Sequence, residues 1–391
     1  MLKVLLTYDF TSAFSRLLME GFLQYSTEVG GWRFYRIPVN RVNGNENLSS
    51  IIEDIVHHWK ADAIVGQLPE SETNRLNCLG IPVILQNYTQ RITGFSNITG
   101  DYYATGELAA NYFIHKGYTH FAYYGTDRTI WSREREKGFC DSLRCAGLDV
   151  QVYNEKNDIQ YGSTSEQQVL QSWLSHLPKP VALFACNDMF ALRVTETCNI
   201  CDIHIPQDLA VLGVDNDEIL CHMSDPPISS IALDVKNGGY QAARLLHDMI
   251  KDKQQSNRDI VIKPIRIVRR KSTEGYSIYD PLVIKALKFI ETRYNKNICI
   301  SEILEQVCVS RRVLEKHFKK EMGISVYQYI LDYRAFCLAE QLLASDKSIL
   351  EISIELGYDN YTNLSKSFKR IYQMTPTQYR NFYKKYPSHR G

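Results

Sequence analysis

Over the first 270 residues, short apolar runs alternate with longer stretches in which apolar positions recur every three or four. The runs are "KVLLTYD" (3–9), "AIVGQL" (63–68), "PVILQN" (82–87), "FAYYGTD" (121–127), "ALFACND" (182–188) and "LAVLGVDN" (209–216). Helical periodicity fills Phe14 to Val29, 103–117 and 132–147. Short β-branched runs separated by amphipathic segments predict βαβ units on a buried parallel sheet. After residue 280 the pattern changes, and every periodic segment is helical. The chain thus reads as an α/β body followed by an all-α tail. At 391 residues it is also too long for one core.

The strands of the body end alike. Tyr8-Asp9, Gln67, Gln86-Asn87, Thr126-Asp127, Asn187-Asp188 and Asp215-Asn216 place polar groups where the apolar runs stop. Open α/β sheets bind ligands in the crevice beyond the carboxyl ends of their strands. Carboxylates accept from hydroxyl pairs and amides both donate and accept, so such a crevice suits a neutral, hydroxyl-rich ligand. Tyr8, Phe10, Trp131 and Phe190 are candidates to cover its C–H face. Turns in αβ loops use the same residue types, but six strand ends together favour the crevice.

The tail repeats itself. Ser310 to Ile330 and Asn360 to Arg380 align at a shift of 50 residues: Leu314 with Leu364, Phe318 with Phe368, Lys319 with Lys369, and Gln328-Tyr329 with Gln378-Tyr379. Leu and Phe at i, i+4 form the buried stripe of each helix. Ser310 and Asn360 are N-caps, and a short amphipathic helix precedes each, at 300–307 and 349–357. Helix, short turn and capped helix make a helix-turn-helix, whose second helix enters a DNA major groove. The faces left outward are Arg311, Arg312, Glu315, Lys316 and Lys319 in the first copy, and Tyr361, Thr362, Asn363, Lys366 and Arg370 in the second. Arg and Lys suit guanine or phosphate, Asn suits adenine, and Glu suits cytosine N4. Lys319, Lys320, Lys369 and Arg370, further along each helix, are expected on the DNA backbone. One helix over 326–345 separates the copies.

Charge separates the halves too. Residues 281–391 hold 18 Lys and Arg against 11 Asp and Glu, a net +7, whereas the first 280 hold 27 against 33, a net −6. A basic module on an acidic body points to a polyanionic partner for the tail. No run is long and apolar enough for a membrane span or a signal peptide, so a cytoplasmic protein with reduced cysteines is expected. Cys198 and Cys201 have metal-like spacing, but no further ligands accompany them, so no metal and no cofactor is expected. There is no G-x-x-x-x-G-K-[ST], no G-x-G-x-x-G after the first strand and no G-x-S-x-G. An enzyme is not expected; Asp188 and Asp215 as a glycosidase pair remain the distant alternative, beside a sugar-binding protein whose tail binds another protein.

The body resembles the effector domain of LacI-type regulators and periplasmic sugar-binding proteins. Asn187 to Ala191 (N-D-x-x-A), Ile205 to Asp208 (I-P-x-D), Gly213 to Asp215 (G-V-D) and Pro226 to Ser230 (P-P-I-S-S) carry the likeness. It implies two lobes closing over a small molecule, with Asp101, Arg135, Asn187, Asp188 and Asp215 facing the ligand. Asp9, at the first strand end, joins them from its position alone. LacI-type regulators carry a helix-turn-helix ahead of the first strand; here that strand starts at Lys3. The tail, above all "SILEISIELGYDNYTNLSKSFKRIYQMTPTQYR", is similar to AraC/XylS-family DNA-binding domains. The pairing resembles regulators of the xylose-operon type along the whole length.

The resemblance implies a sugar effector domain over 1–272, a linker over 273–280 and a double helix-turn-helix domain over 281–391. It implies an activator that binds operator half-sites in double-stranded DNA as a homodimer and works with RNA polymerase. D-xylose is the favoured effector, with L-arabinose, L-rhamnose and ribose as alternatives.

Overall fold

In this computed structural model all residues are described except 9, 38–47, 69–78, 156–163, 253–255, 276–279, 294–297, 346, 359–360, 373 and 385–391. Of residues 48–49, 164–166, 340, 343–344, 361–363 and 382–384 the backbone alone is described. The chain divides into two compact units: Met1–Ala110 with His120–Thr273, and Asn111–Thr119 with Glu274–Gly391. Among the described residues no helix is long and apolar enough to cross a membrane.

Among the described residues the first unit holds two six-stranded sheets. One contains β1 (Lys3–Thr7), β2 (Arg33–Arg36), β3 (Ala63–Gly66), β4 (Val83–Leu85), β5 (Ser96–Gly100) and β11 (Ile260–Ile262), in the order β11-β5-β4-β3-β1-β2. The other contains β6 (Phe121–Thr126), β7 (Val150–Glu155), β8 (Val181–Ala185), β9 (Leu209–Val214), β10 (Ser229–Leu233) and β12 (Pro264–Val268), in the order β12-β10-β9-β8-β6-β7. All pairings are parallel except β10 with β12. The chain crosses between the sheets after β5, returns after β10 and crosses again after β11, so the two expected lobes are present.

The apolar runs become the central strands for the reason their composition suggests. Val4, Leu5, Ile64, Val65, Leu183, Val211 and Leu212 are wholly buried, because helices cover both faces of a parallel sheet. Edge strands escape such patterning: β2 is largely exposed and β7 is mostly half-buried. β5 is a different case. It is "SNITG" and buried throughout, with Asn97 standing in for the missing apolar contacts. Its Oδ1 accepts from the Ile92 N–H (2.8 Å), and its Nδ2 donates to the carbonyls of Ile92 and Phe95 (3.1 Å each) and to Asp259 (3.0 Å).

The second unit is helical: α9 (Pro281–Arg293), α10 (Ile300–Val307), α11 (Arg311–Met322), α12 (Val326–Ala344), α13 (Ile349–Glu355), α14 (Tyr361–Tyr372) and α15 (Pro376–Lys384), numbered after the eight helices, α1 to α8, that precede them among the described residues. The repeat is visible as two cores. Val283, Leu287, Ile303, Leu314 and Phe318 close the first with Val326 and Ile330. Leu338, Leu342, Ile352, Leu364 and Phe368 close the second. Helix α12 serves both, its first turns in one core and its last in the other, with Tyr333 packed against each. Caps set the boundaries. Ser310 Oγ accepts from the Val313 N–H (3.4 Å), while Ser348 and Glu351 form a reciprocal capping box. Gly323 ends α11 at φ 71°. Asn360, the expected cap of α14, lies outside the described residues.

Candidate effector site and nucleic-acid interface

Arg135 is the centre of the effector site. It lies on helix α4 (Ile130–Cys145), after β6, and is 3% exposed. Its Nη1 donates to the Cys186 carbonyl at the end of β8 (2.5 Å), and its Nη2 is 3.6 Å from Asp215 Oδ1 at the end of β9. The guanidinium lies 5.5 Å from the ring centres of both Tyr102 and Trp131. Its Nε is buried without a partner among the described residues. The backbone of α4 is held in place by a glycine crossing. A Cβ at Gly106 would meet the Arg135 carbonyl at 2.2 Å, and one at Gly138 would meet the Tyr103 carbonyl at 2.1 Å. The helix Tyr102–His115 therefore sets where Arg135 sits.

Asp215 and its neighbour Asn216 hold left-handed backbone conformations, φ 100° and 52°. Non-glycine residues stay in that region only where their surroundings hold them there. Burial pushes the Asp215 carboxyl up to about 6, and the Arg135 charge opposes the shift. Asp188 begins helix α6 (Asp188–Ile200) and is 1% exposed. One oxygen accepts from Ser230 Oγ (2.6 Å), the other from the Asp217 N–H (2.7 Å). Burial pushes its carboxyl up to about 8, with the Asp215 charge adding to the shift.

These geometries sort the expected ligand residues. Arg135 and Asp215 are brought together with open hydrogen-bonding capacity. Asp188 bonds the protein's own loop through one hydrogen bond to each oxygen, which supports the 215–217 turn. Asn187 caps α6, its Oδ1 accepting from the Phe190 N–H (3.0 Å). Asp101 caps the helix Tyr102–His115 through the Ala104 N–H (3.3 Å). Asp9 lies outside the described residues. Of the aromatic candidates, Trp131 faces Arg135, whereas Phe190 packs on the core beside Tyr124 (5.1 Å). Tyr8 is 1% exposed, and its hydroxyl and Gln86 Oε1 are buried without partners among the described residues.

Sequence reasoning missed Tyr102, Asp217, Ser230 and the contacts that join the lobes. The Ile130 N–H donates to the Tyr88 carbonyl (2.7 Å), Arg133 to the Thr89 carbonyl (2.6 Å), and Arg91 grips Glu134 at 2.5 and 2.8 Å. Arg16 approaches Asp217 at 3.9 Å. Apart from Ser230, which closes the Pro226–Ser230 motif, no local signal marks these residues, because their partners are far away in sequence. Cys198 is buried and Cys201 ends its helix; among the described residues no group of side chains is suited to hold a metal ion.

The raised carboxyls make a prediction. A carboxyl that keeps its proton to a higher pH when folded stabilises the fold below its unfolded value. That stability is lost as pH rises through the folded value. For Asp188 the window runs from 3.8 to about 8. Thermal melts without ligand should show Tm falling from pH 5 to pH 8, and Asp188→Asn should flatten that fall. Parallel profiles for the two proteins would remove the protonated Asp188.

On the helical unit, Arg311, Arg312, Lys316 and Lys319 lie exposed along α11, and Lys366 and Lys369 along α14. Two of the residues expected on DNA also bond within the unit. Glu315 Oε2 accepts from the Val326 N–H at the start of α12 (3.4 Å), so the carboxylate is drawn inward. Arg370 pairs with Asp332 of α12, which also accepts from Gln328 Nε2 (2.7 Å), so Arg370 ties α14 to the central helix. The side chains of Tyr361, Thr362 and Asn363 lie outside the described residues, and their backbone forms the first turn of α14. Asp280 caps α9 and meets His317 Nδ1 at 2.5 Å, anchoring α11 from behind.

Comparison with known proteins agrees with both halves. The periplasmic binding protein-like domain family matches residues 110–273, and a helix-turn-helix domain family matches 303–381. The xylose operon regulatory protein of Escherichia coli K12 is 27% identical over 388 residues, covering 97% of each chain. The structure of a xylose-binding transcription activator aligns over 97% of this chain and 98% of its own, with a TM-score of 0.59 and 26% identity. The xylose operon regulatory protein of Haemophilus influenzae is 30% identical over 335 residues, covering 84% of this chain and 87% of that protein. With the sensor-then-reader order preserved across that span, this chain belongs to the family of xylose operon regulatory proteins.

Proposed function

We propose that this protein is a sugar-responsive transcription regulator that activates a sugar-utilisation operon, with D-xylose as its effector. The observation that carries the reading is the Arg135–Asp215 pair, framed by Tyr102 and Trp131 at the carboxyl ends of a parallel sheet. It lies in one chain with a duplicated helix-turn-helix. A carboxylate and a guanidinium between aromatic rings match a small polyol, whose hydroxyls donate and accept while its C–H face stacks. In this reading residues 1–272 hold the sugar and 281–391 read DNA. The 19 residues of α12 span about 28 Å. That separation lets α11 and α14 enter neighbouring major-groove segments, roughly one turn of about 34 Å apart. The names of the relatives support xylose as effector. A homodimer working with RNA polymerase in the cytoplasm completes the proposal.

The test is calorimetric titration of the full chain against D-xylose, L-arabinose, D-ribose and L-rhamnose, with operator binding measured with and without each. D-xylose should bind and change operator affinity, and operator binding should weaken steeply with salt. Binding of a different sugar alone would transfer the architecture to that effector. No salt-dependent duplex binding would overturn the regulator reading.

A further inference from the structure

We infer that Arg270 is a positioning residue that couples the loop bearing Asp215 to the segment by which the chain leaves the first unit. The inference rests on the sugar site proposed above. Arg270 follows β12 and is the last long side chain to fold inward before the exit, with 9% of it exposed. Its Nη2 donates to Asn216 Oδ1 (2.9 Å) and lies 3.4 Å from Glu218, while its Nη1 donates to the Ile228 carbonyl (3.0 Å). One guanidinium therefore bridges the residues just after Asp215 and the start of β10.

The backbone of the same residue heads the exit. The Arg270 N–H donates to Ser229 Oγ (2.7 Å), which donates in turn to the Arg270 carbonyl (2.9 Å). A single 3-10 turn, Lys271–Thr273, follows. Ser272 Oγ donates to the Val211 carbonyl of β9 (2.6 Å) and accepts from the Ser229 N–H (2.8 Å). Arg270 and Ser272, where the connection begins, are thus both tied to the strands that flank the effector site.

The loop on the other side is itself under tension. Asp215 and Asn216 are left-handed, and the Asn216 N–H is held by Ser230 Oγ (2.9 Å). A ligand shifts such an equilibrium only by binding its two arrangements unequally. A sugar that draws Asp215 away from Arg135 favours one arrangement of 215–218. Arg270 cannot follow that movement without giving up a charge-assisted hydrogen bond to Asn216 or Ile228. The guanidinium converts a change at the sugar into a change at the exit turn.

The experiment compares the full-length protein with Arg270→Lys and with Arg270→Met. Three quantities are read: D-xylose affinity, Tm, and the ratio of operator affinities with and without D-xylose. Both variants should bind D-xylose within about threefold of the parent and melt cooperatively, while the ratio collapses at least tenfold towards one. A purely structural role would lower Tm and leave the ratio alone. A parental ratio in either variant overturns the coupling, and so does loss of sugar binding, which would place Arg270 in the pocket itself. An unmodified protein that does not respond to D-xylose fails the proposed function first, before any variant is compared.

Discussion

Arg135→Ala is expected to weaken sugar binding at least about a hundredfold while leaving DNA binding without sugar intact. The side chain lies 3.6 Å from Asp215, donates to the Cys186 carbonyl and is enclosed by Tyr102 and Trp131. Removing buried Arg135 from a pair whose Asp215 is still 23% exposed strands a largely shielded charge, at a cost of up to roughly 3–5 kcal/mol. Since about 1.4 kcal/mol is tenfold in an equilibrium constant, a loss of that size exceeds two orders of magnitude if it falls on binding. Part of it will fall on stability, so Tm should drop as well. Asp215 without its countercharge would keep its proton to a still higher pH and be a poorer acceptor for sugar hydroxyls. Arg135→Lys should recover charge but not the fork that reaches Cys186 and Asp215 together. Calorimetry on the three proteins decides the point. Unchanged sugar affinity in Arg135→Ala would place the effector elsewhere.

Phe368→Ala should abolish tight operator binding with sugar affinity unchanged within about twofold. The ring is wholly buried, 4.5 Å from Tyr372 and 5.2 Å edge-on to Tyr379. Truncating a buried phenylalanine costs about 3–5 kcal/mol. The second core is small, and a half-domain of that size has little stability to spare. Melting this half removes α14 from the DNA while α11 keeps its own core, so the protected region on the operator should shrink to one half. Leu350→Ala, at a residue 61% exposed, is the control and should be neutral. Full operator affinity in Phe368→Ala would show that the second helix-turn-helix is dispensable.

The tail was legible to a degree the sensor was not. Leu314, Phe318, Leu364 and Phe368 were read as core from their spacing, and each is wholly buried. Caps at Ser310 and Ser348 fall where the sequence predicted helix starts. These are interactions between residues three or four apart, so a linear reading contains both partners. The central strands were legible for a similar reason, since a strand buried on both faces is apolar throughout. β5 was not, because its order comes from Asn97, Asp259 and a strand that enters from residue 260.

Which polar residues stand free was decided by tertiary structure alone. Glu315 and Arg370 have the chemistry and spacing expected for DNA, and the fold adds partners for them in Val326 and Asp332, 11 and 38 positions away. Asp188 fits the sensor motif, and the fold gives each of its oxygens a partner, Ser230 and the Asp217 N–H. Residue type and period set the elements, the repeat and the two kinds of partner. They carry no record of which hydrogen bond a side chain makes across 40 residues of intervening chain. That depends on distance in space, and only the closed fold brings Arg135, Asp215 and Tyr102 to one point.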